Sequence, residues 1–285
     1  MYAYTRFCPT QLDRDGGATL PIARAFMARR TSPDGGANSS VLSALRAAWS
    51  IYCSICWDAP RRCSAAARVR LMSIELQDRD RELVEVLTHR VRALSSAQVE
   101  RTWWGSAQGR RLARRRIADL ETVGLLERFD SMAHPSPPLD EPKVHWEPGD
   151  SKPDLRSLAQ SLRSRWSRPL EPVSVVLASR LAAERFGGFG GRRPRPSELS
   201  HDLALGDLYL GIRARDPERA RRWISEAALA QAGWGREGLV LPDAFLGSAA
   251  DGDELVIELL GLYPHEKLEH FHDFCLGRGL AYELW

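Results

Sequence analysis

The sequence predicts an α+β protein of two domains, a winged helix-turn-helix followed by a restriction-endonuclease-like α/β domain, and three observations carry that prediction. From Asp78 to Gly124 apolar residues recur at spacings of three to five, the period of helices that bury one face. The strand-length run LLERFDSM follows, then a Pro-rich piece and the run KVHWEP. In the last 90 or so residues helices and strands interleave, and the 285-residue chain has room for about two cores.

Composition limits the reading in other ways. A net charge of +3, from 40 basic and 37 acidic residues, is too small to argue for a partner by itself. Lys143, Lys152 and Lys267 are the only lysines, so the Arg excess is in part what a GC-rich gene encodes. Four of the five cysteines, Cys8, Cys53, Cys56 and Cys63, fall in the first 71 residues, and Cys275 stands alone. No disulfide framework is implied, which fits a reducing, cytoplasmic setting.

Residues 1–71 differ from the rest. Gly/Ser/Pro runs such as TSPDGGANSS mix with scattered Arg, Trp and Cys, without sustained periodicity. Val41–Trp57 is apolar but is interrupted by Arg46 and is short of the about 20 residues of a membrane span, so no membrane partner is expected. Cys53, Cys56 and Cys63 offer three thiols with no nearby histidine, where a structural zinc site needs four ligands. The expectation is an upstream extension from a misassigned start codon, or a disordered arm, with patterned sequence beginning at Met72.

The first domain is placed at residues 72–150. Leu83, Val86, Leu87 and Val91 give its first helix an apolar stripe, and Asp78, Asp80 and Glu82 sit where the helix dipole favours acids. Ser95 or Ser96 caps a second helix that runs to Trp104. The third, Gly109–Gly124, carries Leu112, Ile117, Leu120 and Val123 on its apolar side and Arg110, Arg111, Arg114, Arg115 and Arg116 elsewhere. Five guanidiniums so close repel one another unless an anion lies against them, and the major groove of double-stranded DNA is such a partner. The bland alternative is a solvated basic face. Gly124 ends this helix, LLERFDSM begins the wing, AHPSPPLDEP is its tip and KVHWEP its returning strand.

Residues 151–196 read as a helical connector. One helix runs from an Asp154 cap to about Trp166, another covers about Val173–Phe186, and GGFGGRRPRP is a flexible basic hinge. The second domain, 197–285, has a helix over Glu198–Arg213, a short strand near Arg222–Ser225, strands Leu239–Leu246 and Glu254–Leu260, a helix Lys267–Leu276 and a closing strand Leu280–Trp285. A Pro-Asp at one strand and an acid inside the next is the layout by which restriction-endonuclease-like folds place carboxylates around a Mg²⁺ ion, because a hard cation needs oxygen ligands from adjacent segments.

Over residues 74–285 the chain resembles the replication-relaxation family of plasmid- and phage-associated proteins, which join a winged helix to a domain like the PD-(D/E)XK nucleases. The motifs that carry the likeness are RDRELVEVL, RRLARRRIADLETVGLLER, SHDLAL, LVLPDAFL, and VIELLG with KLEHFHDF. The resemblance implies Asp243 and Glu258 as metal-binding, catalytic acids and Asp202 as an accessory acid. It departs at Leu260, where the nuclease pattern has a Lys whose charge stabilises the transition state. Lys267 is the candidate replacement, against the plain reading of a solvent-facing lysine. His201, His265, His270 and His272 lie near in sequence, as metal candidates or as caps and surface. Asp243 has its own plain reading, a turn at a strand end. The expectation is a protein that binds double-stranded DNA in plasmid or mobile-element replication, relaxation or its control. Its alternatives are a Mg²⁺-dependent endonuclease of mobilisation or defence, and a transcriptional regulator whose C-terminal domain holds a partner protein. A homodimer or a replication partner is compatible with each.

Overall fold

Helix α1, Asp78–His89, opens where Gln77 donates its backbone N–H to the Asp80 carboxylate (2.8 Å), and Leu83, Val84, Val86 and Leu87 bury its inner face. The computed structural model describes residues 74–236, 239–247 and 254–285. The expectations for residues 1–71, including the Cys53, Cys56 and Cys63 thiols and Val41–Trp57, lie outside the described residues.

A two-residue strand β1, Leu94–Ser95, leads into α2, Ser96–Trp104, through a reciprocal cap: Gln98 N donates to Ser95 Oγ (3.1 Å) and Ser95 N to Gln98 Oε1 (2.6 Å). Helix α3, Ala107–Thr122, is capped by Ser106, which accepts from Gly109 N (3.0 Å). Its end is a Schellman turn, with Gly124 at φ +77°, Gly124 N on Glu121 O and Leu125 N on Leu120 O. The buried stripe of α3 is Ala113, Ile117, Leu120 and Val123. Leu112, expected in that stripe, is 57% exposed: one residue is 100° of helical turn, and Ala113 holds the position that faces the core.

The first sheet is antiparallel, in the order β1-β4-β2, with β2 at Leu126–Ala133 and β4 at Glu171–Ala178 in register from Leu126↔Ala178 to Ala133↔Glu171. This corrects two expectations. The strand that returns beside β2 is PVSVVLA, read from sequence as the start of a helix. Its β-branched Val173, Val175 and Val176 suit a pleated surface, and Pro172 sits near the strand start, where β1 does not reach. The helix begins only after Ser179, which caps α5, Arg180–Phe186, by accepting from Ala182 N (3.0 Å). KVHWEP instead supplies β3, Val144–Trp146, of the second sheet, because Trp146 finds burial there: it is 1% exposed and stacks on Tyr282 at 5.3 Å.

The glycine run after α5, expected as a hinge, is stitched to its surroundings. Phe189 N donates to Thr88 O and Gly191 N to Ala178 O, each at 2.8 Å. A Cβ on Gly188 (φ +80°) would lie 2.3 Å from Thr88 O, so glycine is required for that approach.

The connector helix α4 spans Leu155–Ser161 and tightens into a 3₁₀ turn, Leu162–Ser164. Helix α6, Pro196–Arg215, is buried along much of its length, and Gly206 lets it approach β1: a Cβ there would meet Leu94 Cδ2 at 2.7 Å. After α7, Pro217–Arg221, come β5 (Trp223–Ser225), α8 (Glu226–Gln231), β6 (Ala244–Leu246), β7 (Leu255–Glu258), α9 (His265–Leu276) and β8 (Ala281–Leu284). Strands β6 and β7 are shorter than expected. The second sheet runs β3-β8-β7-β6-β5; β5-β6-β7 is an antiparallel meander and β8 is parallel to β7. That parallel pair needs a crossover, which α9 provides. The chain is thus α+β with two sheets. Apolar contacts run unbroken from Ile117 and Leu120 of α3 through Leu208 and Ile212 of α6 to Trp223, Ile257 and Trp285. Among the described residues no helix is long and apolar enough to cross a membrane.

Candidate functional site

Two surfaces collect the residues singled out in the sequence. On α3, Arg110, Arg111 and Arg115 are exposed. Arg114 is exposed too, but its Nε donates to Glu100 Oε1 at 2.9 Å. Arg116 is committed inward: its Nε lies 3.0 Å from both oxygens of Asp80, whose side chain is fully buried. The geometry therefore leaves Arg110, Arg111 and Arg115 turned outward and gives Arg116 to the joint between α3 and α1.

The second surface is at one end of the β6-β7 pair. These strands pair Ala244 with Ile257, so the register carried one step further sets Asp243 opposite Glu258. Asp243 N points at Glu258 Oε2 (3.4 Å), and Leu259 N donates to Asp243 Oδ2 (2.7 Å). The Asp243 carbonyl accepts from Glu226 N at the start of α8 (3.1 Å). From α6, His201 Nε2 reaches Asp243 Oδ2 (3.2 Å) and Leu259 O (3.1 Å). Past the strand, the Tyr263 hydroxyl donates to Glu258 Oε1 (3.1 Å), and from α9 the Lys267 ammonium lies 3.8 Å from the same oxygen and 3.2 Å from the centre of the Tyr263 ring. Asp243, Glu258 and Lys267 are thus brought together, with His201 and Tyr263 beside them.

Burial and mutual charge set the protonation of this group. Burial raises the Glu258 pKa to about 8, with the Asp243 charge adding to it and Lys267, His201 and Tyr263 acting against it. For His201 burial works downward, yet the Asp243 carboxylate, helped by Glu258, outweighs it and carries the imidazole up to about 9. Burial lowers the Lys267 pKa against the pull of the two acids.

Asp202 stands on the same helix as His201 but spends its carboxylate elsewhere. It lies 3.1 Å from Arg92, which also holds Glu198 (3.3 Å) and Glu226 (2.8 Å). Burial raises its pKa to about 6 despite that guanidinium. Arg92 thus ties the loop before β1 to α6 and α8, the elements that support Asp243 from behind.

Two carboxylates on neighbouring strands fit a Mg²⁺ ion, which is bound by one or two such groups while water and phosphate complete its shell. Among the described residues no group of three or more His, Cys, Asp or Glu side chains is arranged to enclose a metal. Asp243 and Glu258 would hold the ion, and when bound it would supply Lewis-acid chemistry to a phosphoryl oxygen.

The remaining histidines are elsewhere. His265 pairs with Glu266 and Glu269, both at 3.2 Å, His270 is exposed, and His272 is buried against Tyr282 (2.9 Å) and Trp146. Tyr263, Glu226 and Arg92 were not legible as site residues. Tyr263 alone carries a sequence signal, lying shortly after Glu258 and before Lys267. No family model, curated protein or solved structure matches this chain.

Proposed function

We propose that this protein binds double-stranded DNA and hydrolyses a phosphodiester bond with Mg²⁺, as an endonuclease of a plasmid or mobile element. The observation that carries the reading is the Lys267 ammonium beside Glu258, with Asp243 on the adjoining strand. Two acids fix a hard cation, but cleavage also needs positive charge near the phosphate, where negative charge builds on the oxygens as water attacks phosphorus. Leu260 removes that charge from its usual place. Lys267 restores it from α9.

The architecture supports the same reading. Leaving aside the short helices α7 and α8, α8 lying between β5 and β6, the succession of helix, three antiparallel strands, crossover helix and parallel strand resembles the layout of PD-(D/E)XK nucleases, and the acids stand at the second and third strands. For the N-terminal part, helix, short strand, two helices and the antiparallel pair β2-β4, joined by a long connection and in a sheet ordered β1-β4-β2, support a winged helix whose reading helix is α3. Its outward Arg110, Arg111 and Arg115 would meet phosphates and base edges.

In this mechanism Asp243 and Glu258 would hold the ion, Lys267 neutralises charge on the attacked phosphate, and Tyr263 orients Glu258. His201 fixes the rotamer of Asp243. As water bonds to phosphorus it gives a proton to solvent, the P–O bond to the 3′ or 5′ oxygen breaks, and that leaving oxygen takes a proton from solvent.

A second reading, a duplex-binding protein of replication or relaxation that does not cut, has its own observation. Leu259 N and His201 occupy Asp243, and Tyr263 occupies Glu258, so the acids also serve as struts between β6, β7 and α6. Incubating supercoiled plasmid with the protein and Mg²⁺ separates the two. Nicked or linear product that disappears in Glu258→Gln supports the nuclease; intact plasmid with retained duplex binding supports the scaffold.

A further inference from the structure

A groove of about 460 Å³ lies beside the acid pair, between α4 and the segment that joins β7 to α9. Its basic wall is made by Arg156 and Gln160 of α4 and by Arg163 of the 3₁₀ turn that follows, all exposed. Its other wall holds Leu262, 66% exposed, and Tyr263. Tyr263 belongs to both places, since its hydroxyl donates to Glu258 Oε1 and its ring carries the Lys267 ammonium. Tyr263 thus links the groove lining to Glu258. Glu266, the acid of the lining, lies 3.2 Å from His265 and feels the Arg156 charge, so the two guanidiniums outnumber the one carboxylate of the groove.

We propose that this groove takes one unpaired strand of DNA flanking the bond to be cut, so that the preferred substrate is a junction between duplex and single strand. The inference rests on the nuclease reading above.

The chemistry selects this ligand. Arg156 and Arg163 can each meet a backbone phosphate, and the exposed Leu262 gives a base an apolar surface to lie on, a pairing of basic and apolar groups that suits a single strand. The volume lies toward the lower part of the about 300–1,000 Å³ range of ligand pockets, enough for an unpaired nucleotide and its phosphate and too small for a duplex. The duplex has a separate place on the arginines of α3.

The test is fluorescence anisotropy in EDTA, with the full chain and two fluorescein-labelled DNAs of equal length, one blunt and one with splayed single-stranded arms. The wild-type protein should prefer the splayed DNA. Arg156→Ala/Arg163→Ala should lower affinity for it at least about tenfold while changing blunt-duplex binding less than about twofold. Arg156→Lys/Arg163→Lys should regain part of the loss, since it restores charge without the planar fork. Equal affinity of the wild type for both DNAs, no loss on the splayed DNA, or an equal loss on both overturns the groove. A parallel Mg²⁺ incubation keeps the two inferences apart. If Glu258→Gln cuts as the wild type does, the nuclease reading falls and the anisotropy still decides the groove. If Arg156→Ala/Arg163→Ala cuts splayed DNA at the wild-type rate, the groove falls and the nuclease reading stands.

Discussion

The Lys267 ammonium stands 3.8 Å from Oε1 of Glu258, although the two residues belong to different elements, α9 and β7. A lysine two positions after the acid would stay on its own strand. Here the positive charge arrives from a helix, and Tyr263 steers it, its ring under the ammonium and its hydroxyl on the same carboxylate. Lys267→Met keeps most of the side-chain volume and removes the charge. It should lower plasmid cleavage by about 10²–10³-fold, the usual loss when one transition-state donor is removed, and leave duplex affinity within about twofold. Cleavage rates from a Mg²⁺ time course check this; a loss below about threefold would remove Lys267 from the mechanism.

On α3 the arginines divide by direction. Arg111→Ala/Arg115→Ala should weaken duplex binding and reduce the slope of log affinity against log salt by roughly two, one for each phosphate that is no longer neutralised. Thermal stability should change little, because both side chains are exposed. Arg116→Ala should do the reverse. It leaves the fully buried Asp80 carboxylate without its partner, which costs about 3–5 kcal/mol where a buried pair is broken. Titrations at several salt concentrations and urea unfolding of both variants check the division.

Stability should fall as the pH rises from about 6 to 9. His201 has an ordinary pKa of 6.5 and a folded value of about 9, so the native state binds its proton more tightly and the stabilisation is whole below 6.5 and lost as pH climbs through 9. Glu258 acts in the same direction between its ordinary 4.5 and about 8, since its buried acid form is the favoured one. For His201 alone the loss is on the order of 3 kcal/mol. Urea midpoints at pH 6 and pH 9 should show the fall, and His201→Gln should flatten it. A wild-type midpoint that is level or rises across this range contradicts the pairing of His201 with Asp243.

Ion binding should release protons. Burial pushes the Glu258 pKa up, so its acid form is favoured in the protein, and a cation that binds the carboxylate displaces that proton. Mg²⁺ affinity should therefore rise with pH over 6–8, and calorimetry in buffers of different ionisation enthalpy should give different apparent heats. Heats independent of the buffer would mean that Glu258 is not a ligand.

Helix ends were the most legible part of this chain, since Ser95, Asp154 and Gly124 each do locally what their type dictates, although α3 begins at Ala107, two residues before its expected start, on a Ser106 cap. Strand partners were not. PVSVVLA followed by SRLAAERF reads as one apolar run, and only the Ser179 cap marks where strand becomes helix. KVHWEP follows the first wing strand in sequence, yet Trp146 pairs with the far end of the chain, where Tyr282 and His272 give it a core. Asp243 and Glu258 were legible from their positions at strands. What surrounds them was legible only in part: His201 was one of four candidate histidines, whereas Glu226 and Arg92 come from separate segments that the fold alone brings together.

The most direct test of the account is conversion of supercoiled plasmid at neutral pH with Mg²⁺, with wild type, Glu258→Gln and Lys267→Met in parallel. The account predicts nicked or linear DNA with the wild type, none above background with Glu258→Gln, a strongly slowed reaction with Lys267→Met, and no product in EDTA. Plasmid left intact by a wild-type protein that still binds duplex DNA and Mg²⁺ would contradict it, and so would cleavage that persists in Glu258→Gln.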